Sequence, residues 1–157
     1  MKYVAEGCQI VGDVEIGQNS SIWYNAVLRG DTNKIVIGEM TNIQDNAVLH
    51  VGKNAPLMVG NNVTVGHGAI LHGCTIKNNV LIGMGAIVLD GAVVEENCII
   101  GAGTLITQNK VIPSGSLAFG NPVKAIRLLT EEEKDSILQS AKNYSHEASS
   151  MGLTGEF

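Results

Sequence analysis

The chain has 157 residues, 19 of them glycine and only 4% aromatic, with 32 isoleucines and valines against 12 leucines. Any core is therefore aliphatic, and the β-branched excess favours strands and argues against a helical bundle. The net charge of −5 is uneven: residues 1–129 carry nine acidic and eight basic side chains, and 130–157 carry six and two. No basic cluster could track a phosphate backbone or a membrane surface, which excludes nucleic acid and membrane as partners.

From the N-terminus, an aliphatic residue recurs at every sixth position: Ile10, Ile16, Ile22 and Leu28, then Ile37, Ile43 and Leu49, then Val59, Val65 and Leu71. A second register runs from Ile76 through Ile82, Val88, Val94, Ile100, Ile106 and Ile112 to Ala118, and glycine often follows the aliphatic, as in Val65–Gly66 and Ile82–Gly83. A period of six is met by a short strand and a tight corner, repeated, with glycines easing the corners. Three units make a triangular coil of about eighteen residues. Residues 1–122 are thus expected to form an all-β solenoid, a single-stranded parallel β-helix of about six triangular coils. At strand spacing the column is roughly 25–30 Å tall. A Gly-rich antiparallel barrel would need hairpin signals that are missing.

The grid is interrupted by three extra residues between Leu28 and Ile37 and four between Leu49 and Val59, and Leu71 to Ile76 is one short. Such insertions predict protruding loops. Residues 123–157 read as a linker and a C-terminal helix packed on the solenoid. Thr130 and Glu133 form a capping-box pattern that starts the helix at about Glu131. Its inner stripe is Lys134, Ile137, Leu138, Ala141, Tyr144 and Ala148, with fraying from about Ser149.

Three of the four histidines lie within residues 50–72. Arg29, His50 and His72 follow the first aliphatic of successive coils and should stack on one edge of the prism. His67, two residues after Val65, belongs to another corner and cannot readily converge with them in one chain. In a threefold homotrimer the His50/His72 edge of one subunit would face the His67 edge of the next, giving three shared sites. The low charged fraction of 16% suits subunit contact. Three imidazoles with an open fourth position are a zinc arrangement that lowers the pKa of bound water, and Fe2+ or Co2+ are also suited to imidazole. Coincidence is the competing reading, and His146 reads as an exposed helical residue.

Around these histidines, Arg29–Gly30–Asp31 occupies the first irregularity and Asn42–Ile43–Gln44–Asp45 precedes His50. An arginine and a carboxylate at an interface can form a desolvated pair. Gln44, and more weakly Asn42, could hydrogen-bond a bound water or substrate oxygen, or else cap a corner. Tyr144 could lean over the interface or serve helix packing alone.

The solenoid, RGD at 29–31, NIQDN at 42–46, His50, VGHGAILHGC at 65–74 and GNP at 120–122 together resemble the gamma-class carbonic anhydrase family over nearly the whole chain. The resemblance implies a homotrimeric left-handed β-helix, with zinc or sometimes iron held by His50 and His72 of one subunit and His67 of its neighbour. It implies an intersubunit pair for Arg29 and Asp45, a supporting carboxylate at Asp31, and Gln44 as the group orienting a metal-bound hydroxide. The reaction implied is CO2 + H2O ⇌ HCO3− + H+. Thr32 and the Val51–Pro56 segment stand where the longer family form carries shuttle carboxylates, leaving buffer or Tyr144 to move the proton. The rival functions are a hexapeptide acyltransferase, which usually needs a coenzyme A groove, and a non-catalytic trimeric metal-binding or scaffold protein. Cys8, Cys74 and Cys98 lack CxxC spacing and suit a reducing compartment. MKYVAEG has no signal-peptide apolar core and no stretch approaches ~18 apolar residues, which together predict a cytoplasmic protein.

Overall fold

A computed structural model of the chain describes residues 1–153. They form a left-handed parallel β-solenoid of about six turns followed by one α-helix, α1 (Glu131–Ser150). Residues one coil apart pair in register, so the six-residue grid becomes three inward columns. On the first face Ile22, Ile43, Val65, Ile82, Ile100 and Ala118 stack. The second stacks Ile10, Leu28, Leu49, Leu71, Val88 and Ile106. The third stacks Ile16, Ile37, Val59, Ile76, Val94 and Ile112. Every one of these is buried except Ile10, half-buried near the open first coil. Between columns sit small inward residues such as Ala26, Ala47, Ala69 and Ala86. Triangular coils leave no room for aromatics, which explains their scarcity.

The corners are shared between glycine, as expected, and asparagine. Seven asparagines, Asn19, Asn25, Asn46, Asn62, Asn79, Asn97 and Asn109, take φ between 55 and 60°, a left-handed conformation this side chain tolerates. Two links join three of them: Asn62 Nδ2 donates to Asn79 Oδ1 (3.0 Å), and Asn79 Nδ2 to Asn97 Oδ1 (3.3 Å). Glycines after the aliphatic instead allow coils to approach. A Cβ on Gly66 would lie 2.7 Å from the Met84 nitrogen, and one on Gly83 2.5 Å from that of Ala102.

Two expectations are revised. The RGD segment is not a loop but part of an eleven-residue strand, Val27–Ile37, paired with Gln9–Ile16 across a register shift between Gly12 and Val14. Gly12 and Gly30 touch so closely that a side chain on Gly12 would collide with the Gly30 carbonyl, which keeps the two strands together around the corner. Within 123–157, Lys124–Leu128 is a strand antiparallel to Ser116–Phe119, covering the edge that the last coil would leave open. The helix ends at Ser150, within a residue of the expected end. Ala148 and Leu153 pack with Tyr3, Ala5 and Trp23 in a second small core. Residues 154–157 lie outside the described residues.

Helix α1 lies on the first face beside Ser21–Ile22, Asn42–Ile43 and Thr64–Val65, and Thr64 and Ser140 share a hydroxyl contact of 3.2 Å. Ile137, Ala141 and Ala148 are buried, while Lys134, Leu138 and Tyr144 are half-buried, as the expected stripe requires. Both halves of the capping box form: Glu133 N donates to Thr130 Oγ1, and Thr130 N to the Glu133 carboxylate. Among the described residues no helix is long and apolar enough to cross a membrane, and the three cysteines are unpaired, with Cys74 and Cys98 buried.

Leu71→Ala removes a fully buried rung from the second column and is expected to cost ~2–5 kcal/mol in urea unfolding. At the helix start, Arg127 and then the Thr130 backbone hold the Glu133 carboxyl down from the usual 4.5 to about 2. A lowered carboxylate stabilises the fold fully above its unfolded value and loses that contribution as pH falls through the folded one. Glu133→Gln should therefore flatten the loss of thermal stability between about pH 4.5 and 2. Thr130→Ala should cost ~1 kcal/mol at neutral pH.

Candidate functional site

The register that builds the core also builds a polar edge. Arg29 pairs with His50 and His50 with His72 on successive coils, so three outward side chains stand in one column of the second face. Their outward neighbours two residues back, Val27, Val48 and Ile70, form an apolar stripe beside them. His50 Nδ1 lies 3.1 Å from His72 Nε2. His50 Nε2 is 2.9 Å from Asp31 Oδ1, whose other oxygen pairs with Arg29. His72 Nδ1 contacts the Asp90 carboxylate. The result is a continuous chain, Asp31–His50–His72–Asp90. Ionised carboxylates only accept, so His50 Nε2 and His72 Nδ1 donate to Asp31 and Asp90. The His50 hydrogen bond, and then Arg29, hold the Asp31 carboxyl down at about 2.

His67 sits on a different corner. Its Nδ1 is 2.8 Å from Asp45 Oδ2, so the carboxylate accepts a hydrogen bond from Nδ1–H and, in the neutral ring, Nε2 is the acceptor. Gln44 Oε1 accepts from the His67 backbone N–H at 3.2 Å, and Gln44 Nε2 donates to Asn42 Oδ1 at 3.1 Å. Asn42 is buried and donates onward to Thr64 Oγ1 at 2.9 Å. Its amide is thus occupied within the chain and acts on Gln44 rather than towards solvent. Tyr144, its ring edge-on to Trp23 at 5.5 Å, closes this corner from α1. Partial burial, then Glu147 and Asp45, push its phenol up, which keeps it protonated and able to donate. Gln44, Thr64, His67, Ser140 and Tyr144 line a cavity of about 500 Å3, with Leu81, Met84 and Ile99 among its apolar walls.

One chain therefore carries two separate polar clusters. Arg29, Asp31, His50 and His72 gather on one edge; Asn42, Gln44, Asp45, His67 and Tyr144 gather on another. Arg29 pairs with Asp31 and Asp45 with His67, so the implied Arg29–Asp45 pair is not made within the chain.

The expected Zn2+ centre, with Fe2+ or Co2+ as variants, is corrected by the structure. Among the described residues no group of three His, Cys, Asp or Glu side chains could hold a metal ion. His50 and His72 turn towards each other and engage their remaining nitrogens with Asp31 and Asp90, while His67 is held elsewhere by Asp45. The residues present do not fit a metal, and no chemistry below is routed through one. Sequence reasoning missed Asp90, which lies outside the aliphatic grid and the resembling motifs. Its only sequence signal is its position at the corner directly after Leu89, the residue that extends the His50/His72 column by one coil.

Fold and site define a hexapeptide-repeat protein, of the superfamily shared by gamma-class carbonic anhydrases and hexapeptide acyltransferases. The bacterial transferase hexapeptide (six repeats) family matches residues 73–108. A "Probable carbonic anhydrase" of Methanocaldococcus jannaschii is 55% identical over 141 residues, 90% of this chain and 89% of that protein. "Gamma carbonic anhydrase 2, mitochondrial" of Arabidopsis thaliana is 53% identical over 148 residues, 90% of this chain but 53% of that protein. The chain thus spans about half the length of the plant relative. The crystal structure of the Bacillus cereus BC4754 gene product, titled "putative acetyltransferase", superposes with a TM-score of 0.92. It is 46% identical and covers 94% of this chain and 86% of its own. The chain belongs to the gamma-class carbonic anhydrase family.

Asn42→Ala would orphan the buried Gln44 and Thr64 partners. It is expected to cost ~1–3 kcal/mol in chemical unfolding.

Proposed function

We propose that this chain interconverts carbon dioxide and bicarbonate in clefts of a homotrimer, where the His50/His72 edge of one subunit meets the Gln44/His67 corner of the next. The observation that carries this reading is the split of the polar residues into two clusters on different corners. The apolar stripe of Val27, Val48 and Ile70 beside the histidine column supports a subunit contact there. Relatives named as carbonic anhydrases supply the substrate class. In this reading Asp45 aims His67, whose free Nε2 takes a proton from water as its oxygen bonds to the carbon of CO2. Gln44 orients the oxygens, and the proton leaves through buffer or Tyr144. In this reading Arg29 of one subunit pairs with Asp45 of the next and fixes their orientation. Three unpaired cysteines agree with a reducing, cytoplasmic setting.

A second reading, acyl transfer, has one observation in its favour: the 46% identical Bacillus cereus protein titled "putative acetyltransferase". Acetyl-coenzyme A consumption with an amine or sugar acceptor, in the absence of CO2 exchange, would decide for it.

Exchange of 18O between CO2 and water should fall by ~10²-fold or more in His67→Ala with assembly intact. Trimers reassembled from His67→Ala and His50→Ala chains should regain exchange that neither variant shows alone. No recovery in the mixture would sink the shared site.

A further inference from the structure

Four polar side chains form one hydrogen-bonded run from α1 to the Gln44/His67 corner. Ser140 Oγ lies 3.2 Å from Thr64 Oγ1, which accepts from Asn42 Nδ2 at 2.9 Å. Asn42 Oδ1 accepts from Gln44 Nε2, and Gln44 Oε1 from the His67 backbone N–H. We infer that Ser140 and Thr64 are positioning residues that fix, through Asn42, which end of the Gln44 amide faces the site. The inference rests on the role that the carbon dioxide reading gives Gln44. Each link has a direction. A backbone N–H only donates, so Gln44 must turn Oε1 to His67 and Nε2 to Asn42. Asn42 must then present Oδ1 to Gln44, which turns its own Nδ2 to Thr64. A flipped Gln44 would set its amino group against the His67 N–H and its oxygen against Asn42 Oδ1. Without the Thr64 hydroxyl Asn42 is free to turn, and Gln44 loses the hold on that side.

The fold itself does not need this polarity. Asn42, Thr64, Leu81, Ile99 and Leu117 are successive rungs of one outward column on the first face. Its lower coils carry aliphatics, so the register accepts them. Under α1, Asn42 and Thr64 are only 1% and 4% exposed. Burying polar groups costs free energy unless each is bonded, and an aliphatic pair would pack there without that cost. The polar pair stands on the two coils that carry Gln44 and His67, where the run ends. Ser21, the rung above, is committed elsewhere and accepts from Trp23 Nε1 at 2.9 Å. Ser140 is half-buried on the helix and supplies the Thr64 hydroxyl with its side-chain partner beyond Asn42.

Hydrogen exchange at the His67 backbone amide reads the Gln44 orientation, because Gln44 Oε1 is its acceptor. The Gly66 N–H, bonded to the Ile82 carbonyl at 2.8 Å, is the internal control. Followed by NMR, exchange at His67 should run about tenfold faster in Thr64→Val and faster, by less, in Ser140→Ala, with Gly66 unchanged. Thr64→Ser, which restores the hydroxyl, should return His67 to the wild-type rate. Unchanged His67 exchange in folded Thr64→Val and Ser140→Ala would overturn the inference, and so would equal acceleration at Gly66, the mark of general loosening. In the 18O assay kcat should fall about tenfold in Thr64→Val with KM little changed, and recover in Thr64→Ser. Faster His67 exchange with unaltered kcat would overturn the positioning role. A wild-type protein without 18O exchange would end the carbon dioxide reading, while the amide data would still decide whether the run orients Gln44.

Discussion

Each inward aliphatic in this molecule stands on the equivalent residue of the coil before it, and that in-register stacking constrains everything else. It requires small or aliphatic rungs, excludes aromatics from the interior, and places glycine where a Cβ would strike the next coil, as at Gly66 and Gly83. Because each neighbour is set by coil position, an outward side chain inherits partners as strictly as an inward one does. Arg29, His50 and His72 form a column for the same reason that Leu28, Leu49 and Leu71 do.

The same rigidity keeps the two polar clusters apart. A residue cannot leave its corner without breaking a parallel ladder, so His67 stays with Asp45, Gln44 and Tyr144 while His50 and His72 stay on the other edge. A flexible fold could bring three histidines together in one chain; this one holds two and one. A carboxylate then occupies one nitrogen of each ring. The proposed meeting of subunits follows from that division, since each cluster presents groups that the other lacks.

Much of the architecture was legible because a solenoid translates a linear period directly into contacts. The aliphatic grid foretold all three inward columns, and Thr130 with Glu133 foretold where α1 begins. The exceptions share a cause: contacts between coils that the period does not encode. The RGD segment stays extended because Gly12 and Gly30 press two strands together, and Lys124–Leu128 pairs with Ser116–Phe119 because the last coil would leave that edge open. Asn42 reads like a site residue from its motif, yet it spends its amide on Thr64 and Gln44.

By itself, the sequence determined the period, and with it the fold, the burial of each rung and the column on which Arg29, His50 and His72 fall. The physical reason is that stacking in register makes sequence separation equal to spatial adjacency along one axis. Only the tertiary structure decided where the ring nitrogens point: His50 towards His72, His72 towards Asp90 and His67 towards Asp45. Those choices depend on rotamers and on corner geometry around the axis, where a six-residue repeat carries no information and an aspartate eighteen residues away settles the matter.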